Sequence, residues 1–217
     1  MYPHIQEAIA KGEVLLEWDY SKGDPPKPLV KDIYGSERRK AKTLNFSIAY
    51  GKTIHGLAKD WGISTEEAKE TLEAWYRDRP EVKKWQEDTR AMAQRKGYVR
   101  TMMGRRRLLK EANTRGAAGG HALRAAINTP IQGSAADVVM MAMINLSNSE
   151  ELKRIGWKLL LQIHDEVILE GPRENKDLAM TEVMRCMQNP FDGVGLMPLS
   201  VKLEVDAKTA DTWYQAK

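Results

Sequence analysis

Apolar positions recur every three to four residues through the first half of the chain and every second residue near its end, which predicts helices first and a small sheet later. Residues 4–11 read as a short helix closed by Gly12, and the Gly- and Pro-rich stretch "GEVLLEWDYSKGDPPKPLVKDIYG" after it reads as an irregular insertion or linker. Ser36 is placed to cap the next helix, with Glu37 in its first turn and Gly51 at its end. "STEEAKETLEAWYRDRP" opens with a capping box, Ser64 to Glu67, and carries Ala68, Leu72 and Trp75 at helical spacing. Pro80 starts a further helix that runs to Gly97, with Val82, Trp85, Thr89 and Met92 as its expected buried face.

The period then changes. "GYVRTMMGRRRLL" reads as a short hairpin turning at Gly104, and residues 116–120 as a Gly-rich break. "ALRAAINTPIQGSAADVVMMAMINLSN" reads as two helical pieces interrupted by Pro130 and Gly133. "KLLLQIHDEVILEG" predicts a buried hairpin with charge at its tip, residues 174–189 another helix, and "LSVKLEVDAK" a half-buried strand alternating Leu199, Val201, Leu203 and Val205. The sum is an α+β chain: an N-terminal helix with an irregular insertion over 1–35, a helical region over 36–96, and a region with a small antiparallel sheet over 97–217.

Composition changes this picture little, and charge changes it more. A chain of 217 residues with 42% hydrophobic content can bury a sizeable core. Its net charge of +4 is modest, yet cations concentrate at Arg38, Arg39, Lys40 and Lys42 and again over 95–124, where Glu111 is the single acid. Such clusters suit a polyanion such as nucleic acid; a solvated face is the plain alternative. One cysteine, Cys186, rules out an intrachain disulfide and a cysteine-based zinc site. No apolar run approaches the roughly 20 residues of a membrane span, and "MYPHIQEAIAKG" reads as neither signal nor transit peptide, so no membrane role and no targeting signal are expected from the chain as written.

Three constellations carry candidate chemistry. Arg38, Lys42, Phe46 and Tyr50 lie four apart in "SERRKAKTLNFSIAYGK", a stripe that drifts only about 40° per step and mixes cations with rings. Neither a core face nor a solvated face is built that way, whereas an anionic, partly flat ligand fits it. His164, Asp165 and Glu166 fall at a hairpin turn, where Asp is favoured for conformational reasons; the chemical reading makes Asp165 and Glu166 hard oxygen ligands for Mg2+, with His164 reaching toward a nucleic-acid strand. Arg124, Asn128 and Gln132 follow one another at four-residue spacing, either as helix-end residues or as a row reading minor-groove acceptors without regard to sequence.

The pattern R-R-x-x-K-x-x-N-F-x-x-x-Y-G, met by Arg38, Arg39, Lys42, Asn45, Phe46, Tyr50 and Gly51, resembles the fingers-helix motif of family A DNA polymerases. "GYVRTMMGRRR", "NTPIQGSAAD" and "QIHDEVILEG" follow in order and are similar to that family's palm motifs. The resemblance runs from about residue 36 to the C-terminus and is nearest in wording to the plant organellar branch, which implies a plastid or mitochondrial location. It implies a helical fingers part and the C-terminal part of a palm. Arg38 and Lys42 would clamp the triphosphate of an incoming deoxynucleoside triphosphate, Phe46 would pack on its sugar, and Tyr50 on the template-side base pair. Arg124, Asn128, Gln132 and His164 would hold the terminus of primer-template DNA, with Arg105, Arg106 and Arg107 on phosphates. Asp165, with Glu166 beside it, would supply one of two carboxylates for a two-metal magnesium site.

The family's first metal carboxylate lies in a D-Y-[SG]-Q-x-E-L-R motif. "WDYSKGDPPKP" imitates only its opening, and Pro25 and Pro26 forbid a central strand after Asp19, so Asp19 is read as loop. The expectation is therefore that the first carboxylate, a thumb and any exonuclease lie before Met1 and that this polypeptide alone is not catalytically competent. The rival reading is a noncatalytic, nucleic-acid-binding truncated copy of such a polymerase. A metal-dependent nuclease or phosphatase built on residues 164–166 fits poorly, because His4, His55 and His121 are scattered. Replication partners, exonuclease activity, fidelity and oligomeric state are not legible in the sequence.

Overall fold

Helices carry the first of two units in the computed structural model, which describes residues 2–19, 22–195 and 199–216. This unit takes in residues 1–98 and 108–128, and the second takes in 99–107 and 129–217. The first contains α1 (Pro3–Ala10), α2 (Val30–Ile33), α3 (Gly35–Ala49), α4 (Ile54–Trp61), α5 (Thr65–Arg77), α6 (Pro80–Lys96) and α7 (Ala117–Asn128). The expected capping box forms at α5: the Glu67 amide donates to Ser64 Oγ at 3.1 Å and the Ser64 amide to the Glu67 carboxylate at 3.0 Å. Pro80 opens α6, and Gly97, left-handed at φ +71°, closes it. Two short elements escaped the periodicity reading: α2, inside the irregular stretch, and the eight-residue α4, capped by Thr53 Oγ1 and ended by left-handed Gly62. The irregular stretch is not a free linker, because backbone bonds at Leu15 and Val30 close it into a loop that buries Val14 and Leu29.

Ser36 does not cap α3. The helix starts two residues earlier than a Ser36 cap implies, with the Arg38 amide already bonded to the Tyr34 carbonyl, and the Ser36 hydroxyl donates to the Glu37 carboxylate at 2.6 Å instead. Helix α2 delivers the chain into α3 almost without a break, so no extended capping residue is available.

The core of this unit gathers Leu44 and Ile48 from α3, Leu57 and Ala58 from α4, and Ala68 and Trp75 from α5. The Trp75 indole donates to Asn45 Oδ1 at 2.7 Å, so Asn45 ties α3 to α5. On α6 the buried face is Gln86, Thr89 and Ala93, with Val82 and Met92 half-buried, and Trp85 is 37% exposed, which corrects the expectation that Trp85 belongs to that face. The reason is polar. The last carbonyls of a helix lack intrahelical partners, and Gln86 Nε2 donates to those of Ile48 at 2.9 Å and Ala49 at 3.4 Å, while its Oε1 accepts from Tyr76 Oη at 2.7 Å. Gln86 is 1% exposed, so Gln86→Leu would strand the phenol and a carbonyl; urea unfolding should show a loss of about 2 kcal/mol.

Glycines bring backbones together here. A Cβ on Gly51, whose φ is +72°, would lie 2.9 Å from the Ile127 side chain on α7. The expected break over 116–120 is confined to Gly116, since α7 begins at Ala117 and includes Gly119, where a Cβ would meet the Thr114 carbonyl oxygen at 1.9 Å.

The second unit holds the turn of the hairpin formed by β1 (Tyr98–Arg100) and β2 (Arg106–Leu108). A π-helical turn over Thr129–Gly133 leads into α8 (Ser134–Asn148). Then follow α9 (Glu150–Arg154), the antiparallel pair β3 (Lys158–Ile163) and β4 (Glu166–Glu170), α10 (Lys176–Gln188) and α11 (Trp213–Ala216). Leu146, Leu152, Ile155, Ala179 and Cys186 form the core, with Trp157, Leu159, Val167 and Leu169 packed on it.

Two expectations are overturned in this unit. The β3–β4 hairpin is not buried on both sides: a two-stranded ribbon covers one face on this core, and Leu160 and Leu161, beside a register irregularity, stay 57% and 43% exposed. Residues 199–208 form no strand, because a strand is defined by its ladder and no described strand pairs with them.

Glu182 staples α10 to α9. It accepts from Ser149 Oγ at 2.7 Å and from Arg185 Nε and Nη2, both at 2.8 Å. The Arg185 fork, followed by the Ser149 hydroxyl, outweighs burial and holds the carboxyl at about 2. A depressed folded value contributes stability above the unfolded value of 4.5 that is lost as pH falls through about 2. Acid titration followed by circular dichroism should therefore show a smaller loss of stability over that window for Glu182→Gln than for the native chain. Among the described residues no helix is long and apolar enough to cross a membrane.

Candidate nucleotide and nucleic-acid site

The stripe predicted from spacing exists on α3. Arg38 and Lys42 are exposed on it, Lys42 Nζ lies 5.8 Å from the centroid of the Phe46 ring, and Phe46 and Tyr50 stand nearly parallel, 6.0 Å apart at 15°. Phe46 is 49% exposed and Tyr50 is the C-cap of the helix, so the row runs from cations through an open ring to a phenol. Below the rings lies a cavity of about 460 Å³ that also draws in Arg124 from α7. Phe46, Tyr50 and Arg124, separated in sequence, are thus brought together.

The cavity also exposes what the spacing reading missed: Thr43, Ser47 and the ion pair of Lys52 with Asp60. Positions 43, 46, 47 and 50 follow i, i+3, i+4, i+7 spacing, so the two hydroxyls were readable as neighbours of the rings. Lys52 and Asp60 had no local signal, because their pairing depends on how α4 folds back. Asn128 ends α7 with its carboxamide oxygen buried and accepting no hydrogen bond among the described residues.

In the second unit Gln132 is exposed within the π turn. Arg105 is exposed yet tied to the protein, with Nε 2.6 Å from Asp137 Oδ1 and Nη2 donating to the Gly133 carbonyl at 3.0 Å, and Arg106 is exposed on β2. Burial of Asp137 pushes its carboxyl up, but the Thr101 hydroxyl, the Met103 amide and the Arg105 guanidinium more than offset this and hold it below the usual value.

His164, Asp165 and Glu166 stand exposed at the β3–β4 turn. His164 has φ +56°, the left-handed region that suits glycine, and its carbonyl accepts from Gln162 Nε2. Among the described residues no group of three or more His, Cys, Asp or Glu gathers as a metal site. A hard divalent cation takes about six oxygens, so Asp165 and Glu166 fit only as part of a coordination sphere. Asp19 lies in the N-terminal loop with Lys22 at 3.7 Å, both exposed.

The description DNA polymerase family A matches residues 27–215. The chain belongs to DNA polymerase family A. Over 219 residues it is 58% identical to DNA polymerase I B, chloroplastic/mitochondrial, of Arabidopsis thaliana, and over 220 residues 53% identical to DNA polymerase I A, chloroplastic, of Oryza sativa subsp. japonica. Each alignment covers 100% of this chain and 21% of the relative, so this family A chain spans about a fifth of the length of the curated relatives it matches. The POL domain of Pol1 from M. smegmatis, in complex with DNA primer-template and dNTP, superposes with a TM-score of 0.70 at 36% identity, covering 77% of this chain and 29% of that one. That likeness bears out the mixed fold: a family A chain that is mostly helical, with small two-stranded sheets.

Proposed function

We propose that this chain supplies the nucleotide-binding helix and the primer-terminus part of a template-directed DNA polymerase, with residues 36–96 as its fingers and 97–217 as the C-terminal part of its palm. The observation that carries the reading is the row on α3: two exposed cations, then an open ring and a phenol that both line a cavity. A nucleoside triphosphate has that polarity, anionic at one end and flat at the other. Arg38 and Lys42 neutralise the triphosphate and the charge that grows on the leaving pyrophosphate. Phe46 packs on the sugar, and Tyr50 on the pair being formed. Arg124, Asn128, Gln132 and His164 hold the primer terminus, and the exposed cations of 105–107 sit on phosphates.

The reaction forms one bond, from the primer 3′-oxygen to the α-phosphorus, and breaks one, from that phosphorus to the bridging oxygen of pyrophosphate; the 3′-hydroxyl proton is lost. Magnesium ions, when bound, lower the cost of that proton loss and of the departing charge. Asp165, with Glu166 beside it, is one carboxylate of their site, and the partner carboxylate comes from outside this chain. The names of the Arabidopsis and rice relatives support a plastid or mitochondrial location.

Primer extension tests the reading. The longest natural polypeptide carrying this sequence should extend a primer with deoxynucleoside triphosphates, and the purified 217-residue chain should bind primer-template without extending it. Binding without extension by the natural polypeptide as well would favour the noncatalytic copy.

A further inference from the structure

The π-helical turn over Thr129–Gly133 asks for a cause. Pro130 lacks the amide that an α-helix would use, and a π turn carries one residue more than the α-register allows, an arrangement found mostly where a side chain must be aimed. In the same unit the β1–β2 loop and the start of β2 grip this turn along its length. Arg107 Nη1 donates to Thr129 Oγ1 at 3.2 Å, Arg105 Nη2 to the Gly133 carbonyl at 3.0 Å, and the Met102 amide to Ser134 Oγ at 2.8 Å. One turn into α8, Asp137 receives Arg105 Nε at 2.6 Å and the Met103 amide at 3.1 Å. Gly133 has no room for a side chain, since a Cβ would lie 2.6 Å from the Thr101 methyl.

We propose that Arg105 and Asp137 form a clasp that fixes the register of the π turn and so aims Gln132 at the primer terminus, making both of them positioning residues; this rests on the polymerase reading above. Asp137 is 5% exposed and does not reach a ligand itself. Its charge is tolerated there because the Met103 amide and the Arg105 guanidinium both donate to it. If the turn relaxed to α-register, residues beyond it would rotate by about 100° relative to those before it, and Gln132 would leave the surface it faces. The clasp also gives Arg105, within a cationic run of three arginines, a carboxylate partner inside its own chain.

The test compares Gln132→Ala, Asp137→Asn and the double variant in the longest natural polypeptide, extending primers with matched and mismatched termini. Asp137→Asn should lower single-turnover kcat/KM on matched termini about tenfold, the scale of a slightly misplaced contact, and shrink the preference for matched over mismatched termini to the level of Gln132→Ala. The double variant should be no worse than Gln132→Ala alone, and Arg105→Lys, which keeps the charge, should fall between native and Asp137→Asn. Multiplying effects in the double variant, or an intact preference in Asp137→Asn, would overturn the clasp. If Asp137→Asn is unfolded at the assay temperature, Ser134→Ala, which removes only the Met102 hook, should show the same non-additivity with Gln132→Ala, and its absence would overturn the clasp as well. Native protein that extends no primer at all sinks the polymerase reading and the clasp with it; native protein that extends while the variants multiply sinks the clasp alone.

Discussion

Asp165→Ala in the longest natural polypeptide carrying this sequence is expected to abolish nucleotide addition, by more than about a thousandfold in kcat, while primer-template affinity changes little. The two readouts separate because affinity for duplex DNA comes mainly from cations on phosphates, and Asp165 is an exposed carboxylate at a turn. It takes part in no hydrogen bond or ion pair among the described residues, so its removal leaves the β3–β4 ladder intact and the melting temperature near native. Rapid-quench extension, a gel-shift titration and a thermal melt on the same preparation check all three. Equal losses of extension and binding, or a collapsed melt, would assign Asp165 to folding.

Lys42→Ala should lower kcat/KM for the incoming nucleotide by about a hundredfold or more, the scale of losing one preorganised cation from a developing anion. The stability of α3 should hold, since Lys42 stands on the exposed side of a helix whose anchors are Leu44 and Ile48, where its ammonium lies over the Phe46 ring. Lys42→Arg should recover part of the loss, because charge matters more than shape at a triphosphate tail. Single-nucleotide incorporation as a function of nucleotide concentration gives the result. A change in KM for primer rather than for nucleotide would place the lysine elsewhere.

The row on α3 was legible in the sequence because it is local: four positions on one helix keep their relation whatever the rest of the chain does. Its capping boxes and glycine stops were legible for the same reason, as Ser64 and Gly97 bear out. What failed was whatever depends on a distant neighbour. Trp85 was expected on the buried face of α6, and only the carbonyls at the end of α3, which Gln86 serves, turn that order round. Leu160 and Leu161 read as core because β-branched and apolar runs usually are, yet a ribbon of two strands has one face too many. Leu199, Val201, Leu203 and Val205 alternate as a strand should, and alternation cannot supply a partner. The cavity under Phe46 and Tyr50 was half legible: its hydroxyls share their helix, whereas Lys52, Asp60 and Arg124 arrive from elsewhere in the chain.

The adjacent glycines of α7 bear on any effort to toughen this protein. Exchanging glycine for alanine inside a helix is a standard route to gains of about 0.4–1 kcal/mol through the unfolded chain. Gly120 invites it, since a new methyl there would meet only the movable end of Arg124 at 3.6 Å. Gly119, its immediate neighbour, forbids it, because the methyl would land on the Thr114 carbonyl. Two residues that composition counts as identical are, for an engineer, an opportunity and a prohibition side by side.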